Sequence, residues 1–483
     1  MSYLKSQLKL LSASVSVSLF MVISSGSVWC GPCQETDSNS WISSVQSVLK
    51  HVDFKVSDFD VPTKAYYYKT PLIELPTLES IVKAKLGRDI KIFIKDEAQQ
   101  KNDSFKIRGV LYEIYVAITD VINRAKNHDP KALEILEKGL KIVTQSTGNH
   151  GINLISGVAD TIDLLLKTES DPYFRELIKK IEPVVFTSKS IADVKKSGMV
   201  AAMERYRSSL GLSSGSGILD DRYSSYEEAV NKRKQYIKES EGRALYMEHA
   251  GTDIMKGHGS IALEVNDQLK EKGISEDQKL AFLMPVGAGG PLGALTAMKL
   301  VRPNSEAIMV QTLTFGAFVR ILKEIDQIGY EEYLKRIGTD LEIKNSQTPE
   351  PTIEYQYADK KNLKIYFPDG IGVDTPEKNA IGVAMDHLDA AVMVDDREAY
   401  HKSSILVQKD LLDHYQDASK ARVGGTSAIA AEAVLTFADK LPQMKNADVI
   451  VITGTEGNIL PEIVEYQKSR LKDVDSIKSG YMP

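Results

Sequence analysis

Two kinds of segment alternate along most of the chain. Short, nearly unbroken apolar runs rich in β-branched residues occur at Lys91–Lys95, Lys141–Gln145, Pro183–Thr187, Leu280–Val286, Ala307–Gln311, Ala390–Val394 and Val449–Ile452. Such runs predict strands buried on both faces. Between them, apolar residues recur at helical spacing in Ile107–Arg124, Pro130–Leu140, Gly151–Leu166, Tyr226–Ser240, Pro291–Leu300 and Ser427–Ala438. The alternation predicts an α/β protein with two lobes of parallel-rich sheet flanked by helices. Two polar stretches, Thr168–Phe174 and Ser208–Asp221, read as surface loops or insertions. No repeat is visible at solenoid periods.

Composition narrows the picture. The chain has 483 residues, which is long for one core and comfortable for two lobes. Lys plus Arg total 60 against 66 Asp plus Glu, a net charge of −6. That balance excludes the basic footprint of a nucleic-acid binder. The start of the chain differs from the rest. Lys5 and Lys9 precede an apolar, Ser-diluted stretch from Leu10 to Ile23, and small residues follow at Ser24–Ser27. This order predicts a signal peptide over residues 1–27 and export to a periplasmic or extracellular space, with a cytoplasmic location as the alternative. The apolar stretch is too short and polar to span a bilayer, so the mature form is expected to have no membrane span. Residues 28–60 read as a leader or linker. They contain Trp29-Cys30-Gly31-Pro32-Cys33, a redox-type motif outside the strand–helix setting that such a motif needs. With no further cysteine in the chain, a thiol nucleophile in the globular body is excluded.

In parallel α/β folds, chemistry collects in the loops that leave strands and enter helices. Three such loops stand out. Asn102-Asp103-Ser104-Phe105-Lys106-Ile107-Arg108-Gly109 opens a helix with a lysine, where the helix dipole and burial favour a neutral, nucleophilic amine. Asp103 or Ser104 can cap that helix. Ser146-Thr147-Gly148-Asn149-His150-Gly151 gathers hydroxyls, an amide and backbone N–H groups at a helix start, which suits a small carboxylate. Gly287-Ala288-Gly289-Gly290 before a helix suits one phosphate. Leu292 breaks the dinucleotide fingerprint, and no nucleoside-triphosphate loop is present. Each loop alone reads as an ordinary helix start. Together they supply an amine, a carboxylate receptor and a phosphate cup, the set that an amino-acid enzyme using pyridoxal 5′-phosphate requires. Thr453, at the end of the last strand, stands where a hydroxyl can meet the cofactor's ring nitrogen.

The order of these loops resembles the fold-type II, or tryptophan synthase β, family of pyridoxal-phosphate enzymes, especially serine and threonine dehydratases. Ser104–Gly109 is similar to that family's cofactor-lysine motif, Ser146–Gly151 to its substrate-carboxylate loop and Gly287–Gly290 to its phosphate loop. Thr70-Pro71-Leu72 and Gly257-His258-Gly259-Ser260-Ile261-Ala262-Leu263-Glu264 also follow family patterns. Within the family the D-serine dehydratase branch looks most similar, through Asp369–Val373, Val394-Asp395-Asp396 and the closing Thr453–Pro461, which is longer here by two residues. His150 and Gly424-Gly425-Thr426-Ser427 depart from that branch.

The resemblance implies a tryptophan-synthase-β-like fold over residues 61–483, with a smaller lobe inserted at about 107–240. It implies a Schiff base to Lys106, with Asn149, Gly287, Ala288, Gly289, Gly290 and Thr453 holding the cofactor. Ser146, Thr147, Asn149 and His150 would hold the substrate, with Thr147 shuttling a proton opposite Lys106. Dependence on a monovalent or divalent cation is left open. The expected reaction is α,β-elimination from a small hydroxy amino acid such as D-serine or threonine, giving a 2-oxo acid and ammonia. The alternatives are a racemase, a β-replacement or threonine synthase, and an exported amino-acid-binding protein without catalysis. On general grounds the expected assembly is a homodimer.

Overall fold

The fold is taken from a computed structural model. It describes residues 21–24, 27–30, 53–457 and 461–482, apart from 190, 192, 248, 314–315, 329–352, 357–361, 366–370, 372–375 and 377. The basic start of the leader, Cys33, and Asp369-Gly370 with Gly372-Val373 lie outside the described residues.

The strands in chain order are β1 (Met21–Ser24), β2 (Ser27–Cys30), β3 (Leu72–Glu74), β4 (Lys91–Asp96), β5 (Lys141–Gln145), β6 (Glu182–Ser188) and β7 (Ile218–Tyr223). They continue with β8 (Ala244–Tyr246), β9 (Leu280–Pro285), β10 (Glu306–Thr312), β11 (Ile353–Gln356), β12 (Asn362–Ile365), β13 (Ala390–Val394) and β14 (Val449–Gly454). Eight of them make one sheet in the order β2-β1-β13-β10-β9-β14-β4-β3. Its centre, from β13 to β4, is parallel, while β3 and β1 add antiparallel edges. A second sheet, β7-β6-β5-β8, is wholly parallel. β11 and β12 pair by themselves.

The unbroken apolar runs have a physical reason: the large sheet is covered on both faces. Ile450 and Ile452 of β14 enter one hydrophobic cluster with Ile92 and Ile94 of β4, whereas Val449 and Val451 join Phe93 in the other. The strand period of two thus feeds two cores at once. The second sheet has its own core, built around Ile142, Val185, Ile155 and Ile114.

Six helices position the candidate loops and their neighbours: α1 (Lys106–Lys126), α2 (Asn149–Thr168), α3 (Asp193–Ser209), α4 (Thr252–Glu271), α5 (Leu292–Val301) and α6 (Gly425–Phe437). Three of the six, α1, α2 and α5, begin at or just after the lysine, carboxylate and phosphate loops. Two expectations need correction. Thr168–Phe174 is not a loop throughout, because Pro172 at a first helical turn, capped by Asp171, starts a helix over Pro172–Ile178. Ser208–Asp221 runs into β7, whose charged Asp220 and Asp221 hid the strand pattern at this sheet edge.

Candidate active site

The start of α1 is held by its neighbours in space. The Ser104 hydroxyl accepts from the Lys106 N–H at 3.4 Å, but Phe105 occupies the cap position and no side chain caps the first turn, so neither Asp103 nor Ser104 takes the capping role expected of it. Asn102 and Asp103 both take left-handed backbone angles (φ 58° and 52°), which Asn and Asp tolerate better than most residues. The loop after β14 is bonded to this turn: Phe105 N–H donates to the Thr455 carbonyl at 3.2 Å, and Gly457 N–H to that of Asp103 at 2.9 Å. Arg422 grips the Asp103 carboxylate at 2.8 and 3.2 Å.

Two residues beyond Lys106, the fully buried Arg108 guanidinium anchors the helix. It donates to Glu97 at 2.7 and 2.8 Å and to Glu264 of α4 at 2.8 and 2.9 Å. Lys95, also without exposure, donates to Glu264 at 2.7 Å and to the Thr70 carbonyl at 2.7 Å. Two cations and two carboxylates therefore neutralise one another between β4, α1 and α4. Burial opposes the Arg108 charge, but the two carboxylates outweigh it and raise its pKa. Thr70, Arg108 and Glu264 come from three separate stretches of sequence and meet here, Arg108 Nη2 lying 3.5 Å from the Thr70 hydroxyl.

Lys106 opens onto a cavity with about 590 Å³ of empty space, counting its mouth. Its wall includes Phe105, Lys106, His150, His249, His258, Gly287, Ala288, Thr426, Thr455 and Glu456. Of the residues expected from sequence, Lys106, His150, Gly287 and Ala288 thus reach the wall. Ser146 serves its own loop, its hydroxyl accepting from the N–H groups of Gly148 at 3.1 Å and Gly151 at 2.9 Å. Asn149 is tied to the wall by donating to Glu456 Oε2 at 2.7 Å. Gly289 has φ +131°, and a Cβ there would lie 2.1 Å from that of Ala380, so only glycine closes this turn before α5. Thr147 is exposed and is not among the wall residues. Thr453 is not among them either. Its fully buried hydroxyl lies 3.4 Å from the Leu283 carbonyl inside the sheet, and Thr455 takes the place on the wall.

Sequence reasoning missed His249, His258, Thr426 and Glu456 as wall residues, and held Thr455 only as the candidate to follow Thr453. His258 and Thr426 sat in motifs already noticed, and Thr455 and Glu456 lie in the lengthened closing segment; nothing local marked His249. The rings of His150 and His249 stack with centroids 4.0 Å apart. Burial, helped by the nearby Lys106 charge, pushes His249 down to about 4 and His258 to about 3. Burial and the adjoining His249 push His150 well below its usual value. Its Nε2 is buried and has no hydrogen-bond partner. The wall therefore presents neutral imidazoles at neutral pH. Among the described residues, no group of three or more His, Cys, Asp or Glu could hold a metal ion, and no helix is long and apolar enough to cross a membrane.

A lysine at one helix start and a glycine turn at another face one cavity, in a fold shared with fold-type II pyridoxal-phosphate enzymes. Relatives by sequence and neighbours by structure are such enzymes: threonine dehydratases, serine racemases, a probable D-serine dehydratase and a diaminopropionate ammonia-lyase. The chain is 28% identical to threonine dehydratase 1 of Solanum lycopersicum over 268 residues, covering 54% of this chain and 34% of that protein. It is 28% identical to the serine racemase of Homo sapiens over 226 residues, 47% of this chain and 51% of that one. These alignments span only a third to a half of the relatives' own length. Maize serine racemase superposes with a TM-score of 0.56 at 16% identity, covering 87% of this chain and 97% of its own. No protein-family model matches the chain.

The cofactor these relatives imply is pyridoxal 5′-phosphate, and the residues present suit it. Lys106, on the cavity wall, would supply the amine. The Gly287–Gly290 turn leaves backbone N–H groups at the start of α5, where a phosphate is favoured. The unpartnered Nε2 of His150 offers the polar contact that an empty apolar pocket would not need.

Proposed function

We propose that the chain is a pyridoxal-phosphate-dependent ammonia-lyase of the serine/threonine dehydratase type. It would act by α,β-elimination on a small hydroxy amino acid and release a 2-oxo acid and ammonia. The observation that carries this reading is the convergence of Lys106 and the glycine turn on one cavity, with the Ser146–Gly151 loop joined to its wall through Asn149. The cofactor, when bound, supplies an electron sink for a carbanion at the substrate's Cα. The chain's own residues do the rest. The turn before α5 binds the phosphate, and the N–H groups at the start of α2 receive the substrate carboxylate. The Lys106 amine takes the proton from Cα, and the β-hydroxyl leaves with a proton as water. The histidine-lined wall, neutral and buried, excludes water and contributes no competing charge.

Borohydride reduction of the cofactor-treated protein, followed by peptide mapping, is expected to label Lys106, and Lys106→Ala to abolish both the label and turnover. A label on another lysine would overturn the assignment. Release of 2-oxo acid and ammonia from D- and L-serine and D- and L-threonine, with chiral analysis of the remaining substrate, identifies the substrate and separates elimination from racemisation. Racemisation without ammonia would refute the lyase reading. Export of the mature chain, cleaved near Ser27, is part of the proposal and rests on the leader's residue order alone; the pairing of β1 with β13 and β2, which such cleavage would remove, counts against it. N-terminal sequencing of fractionated native protein checks it, and an intact Met1 or Ser2 in the cytosol would refute it.

A further inference from the structure

His258 stands behind the glycine turn. It lies in α4, whose backbone meets that of α5 so closely that a Cβ at Gly293 would sit 1.9 Å from the Met255 carbonyl. The first turn of α5 is therefore pressed against the stretch of α4 that carries His258. The imidazole fills room left by two glycines. A Cβ at Gly109 of α1 would come within 2.7 Å of its Nε2, and one at Gly290 within 3.2 Å of its Cε1. Cε1 is the carbon between the two ring nitrogens, so the nitrogen-bearing edge of the ring is turned to these glycines. The ring of Phe105 lies against it, with centroids 4.8 Å apart.

His258 is 2% exposed and lines the same cavity as Lys106 and Gly287. Neither ring nitrogen has a hydrogen-bond partner. The Gly290 backbone draws the ring toward its charged form, but no contact there is close or straight enough for a hydrogen bond. A buried imidazole unbonded at both nitrogens costs free energy that a bound acceptor would recover. The glycine turn at a helix start favours an anion, and the oxygens of an anion are acceptors. The charges around the ring leave room for one. Lys106 and Arg108 of α1 are cations near it, and Arg108 is paired with Glu97 and Glu264. On α4 itself, Asp253 and Lys256 pair with each other at 3.5 Å. The carboxylate on the wall, Glu456, is engaged elsewhere. It accepts from Thr426 at 2.9 Å and from Asn149 at 2.7 Å, and the Lys195 ammonium, which donates to Asn149 Oδ1 at 3.1 Å, stands 3.9 Å from it. The remaining titratable wall groups are the neutral imidazoles of His150 and His249.

We propose that His258 completes an anion site at the Gly287–Gly290 turn, where it donates a ring N–H to an oxygen of a bound phosphate. The inference rests on the cofactor reading only for which phosphate is held there; the site itself stands on the turn, the start of α5 and the unbonded ring. A neutral imidazole has one N–H to give. A doubly charged anion beside it, away from water, favours a second proton on the ring. The ring therefore holds a proton more tightly in the complex than in the free protein. Binding is coupled to the uptake of a proton from solvent, and the anion binds more tightly as pH falls.

The test uses the full-length chain freed of cofactor and reads sulfate binding by calorimetry from about pH 8 to about pH 5.5, a range in which sulfate keeps both charges while a histidine titrates. His258→Phe, a ring without a donor, is expected to weaken sulfate about tenfold at neutral pH. His258→Gln keeps a donor and should stay within about threefold of the parent. Affinity should rise more steeply with falling pH in the parent than in either variant, because only the histidine takes up a proton. The ratio of affinities for pyridoxal 5′-phosphate and pyridoxal, which isolates the phosphate, should fall about tenfold in His258→Phe. His258→Leu stands in, with the same expected losses, where circular dichroism shows that His258→Phe does not fold. Unchanged sulfate affinity and an unchanged cofactor ratio in the donorless variant would overturn the site, as would a pH dependence in His258→Gln equal to the parent's. A parent that loads pyridoxal 5′-phosphate but takes no sulfate overturns the anion site alone. A parent that takes neither overturns the cofactor reading with it.

Discussion

Arg108, Lys95, Glu97 and Glu264 form a charge quartet packed between a strand and two helices, whereas Lys195 and Glu456 meet at the wall of a cavity. In the quartet, the guanidinium nitrogens end on carboxylate, hydroxyl or carbonyl oxygens: those of Glu97, Glu264, Ser260 and Tyr68. Nothing there is left to offer a ligand. Along the cavity, by contrast, His150 keeps a buried, unpartnered Nε2 and three imidazoles are held neutral by burial. The difference shows two uses of costly buried polarity. Beside Lys106 it is closed on itself and fixes the start of α1. On the wall it is left incomplete, and completion by a bound molecule is what a site requires.

The comparison breaks most severely at Arg108. Arg108→Met would strand Glu97 and Glu264 without their main partner and is expected to lower unfolding free energy by about 3–5 kcal/mol. Urea denaturation measures this; a loss below about 1 kcal/mol would mean that the quartet is not the anchor of α1.

A smaller effect concerns acid. His249 and His258 have folded pKa values depressed to about 4 and about 3 from 6.5. The unfolded chain therefore binds more protons below 6.5. The stability these histidines contribute is complete above that pH and is lost as pH falls through 6.5 toward their folded values, by roughly 1.4 kcal/mol per pH unit for each. Asp96 and Asp410, raised by burial to about 6, act in the opposite sense, losing stability as pH rises from 3.8 toward 6. Comparing His249→Asn with the parent cancels the aspartates. The difference in unfolding free energy between pH 7 and pH 5 should shrink in the variant, and an unchanged difference would show that His249 titrates normally.

The smallest effect sharpens the wall itself. Thr453→Val removes only a long hydrogen bond inside the sheet, so it should cost less than about 1 kcal/mol and leave the spectrum of bound cofactor unchanged. Thr455→Val should alter that spectrum while costing similar stability. The reverse result would return Thr453 to the ring nitrogen.

Periodicity alone placed the central strands, since a strand buried on both faces must be apolar throughout. Lys141–Gln145 and Ala390–Val394 fall where that rule puts them, and Glu182–Ser188 is longer by one residue at each end. The glycine turn and the lysine at a helix start were legible for the same reason: each is a local demand of backbone and dipole. Short edge strands such as Leu72–Glu74 and Ile218–Tyr223 were not, because partners distant in sequence make them strands. The choice between Thr453 and Thr455 was also beyond the sequence. Two extra residues in the closing segment leave the register open, and only packing beside β9 turns one hydroxyl into the sheet and the other toward the cavity. Asn149 lies 46 residues from Lys195 and 307 from Glu456, so no local pattern could join them. The sequence by itself determined the strands, the loops that leave them and the amine. The meeting of an ammonium and a carboxylate on one amide was decided by the tertiary structure, because an interaction of that range exists only once the two sheets are packed.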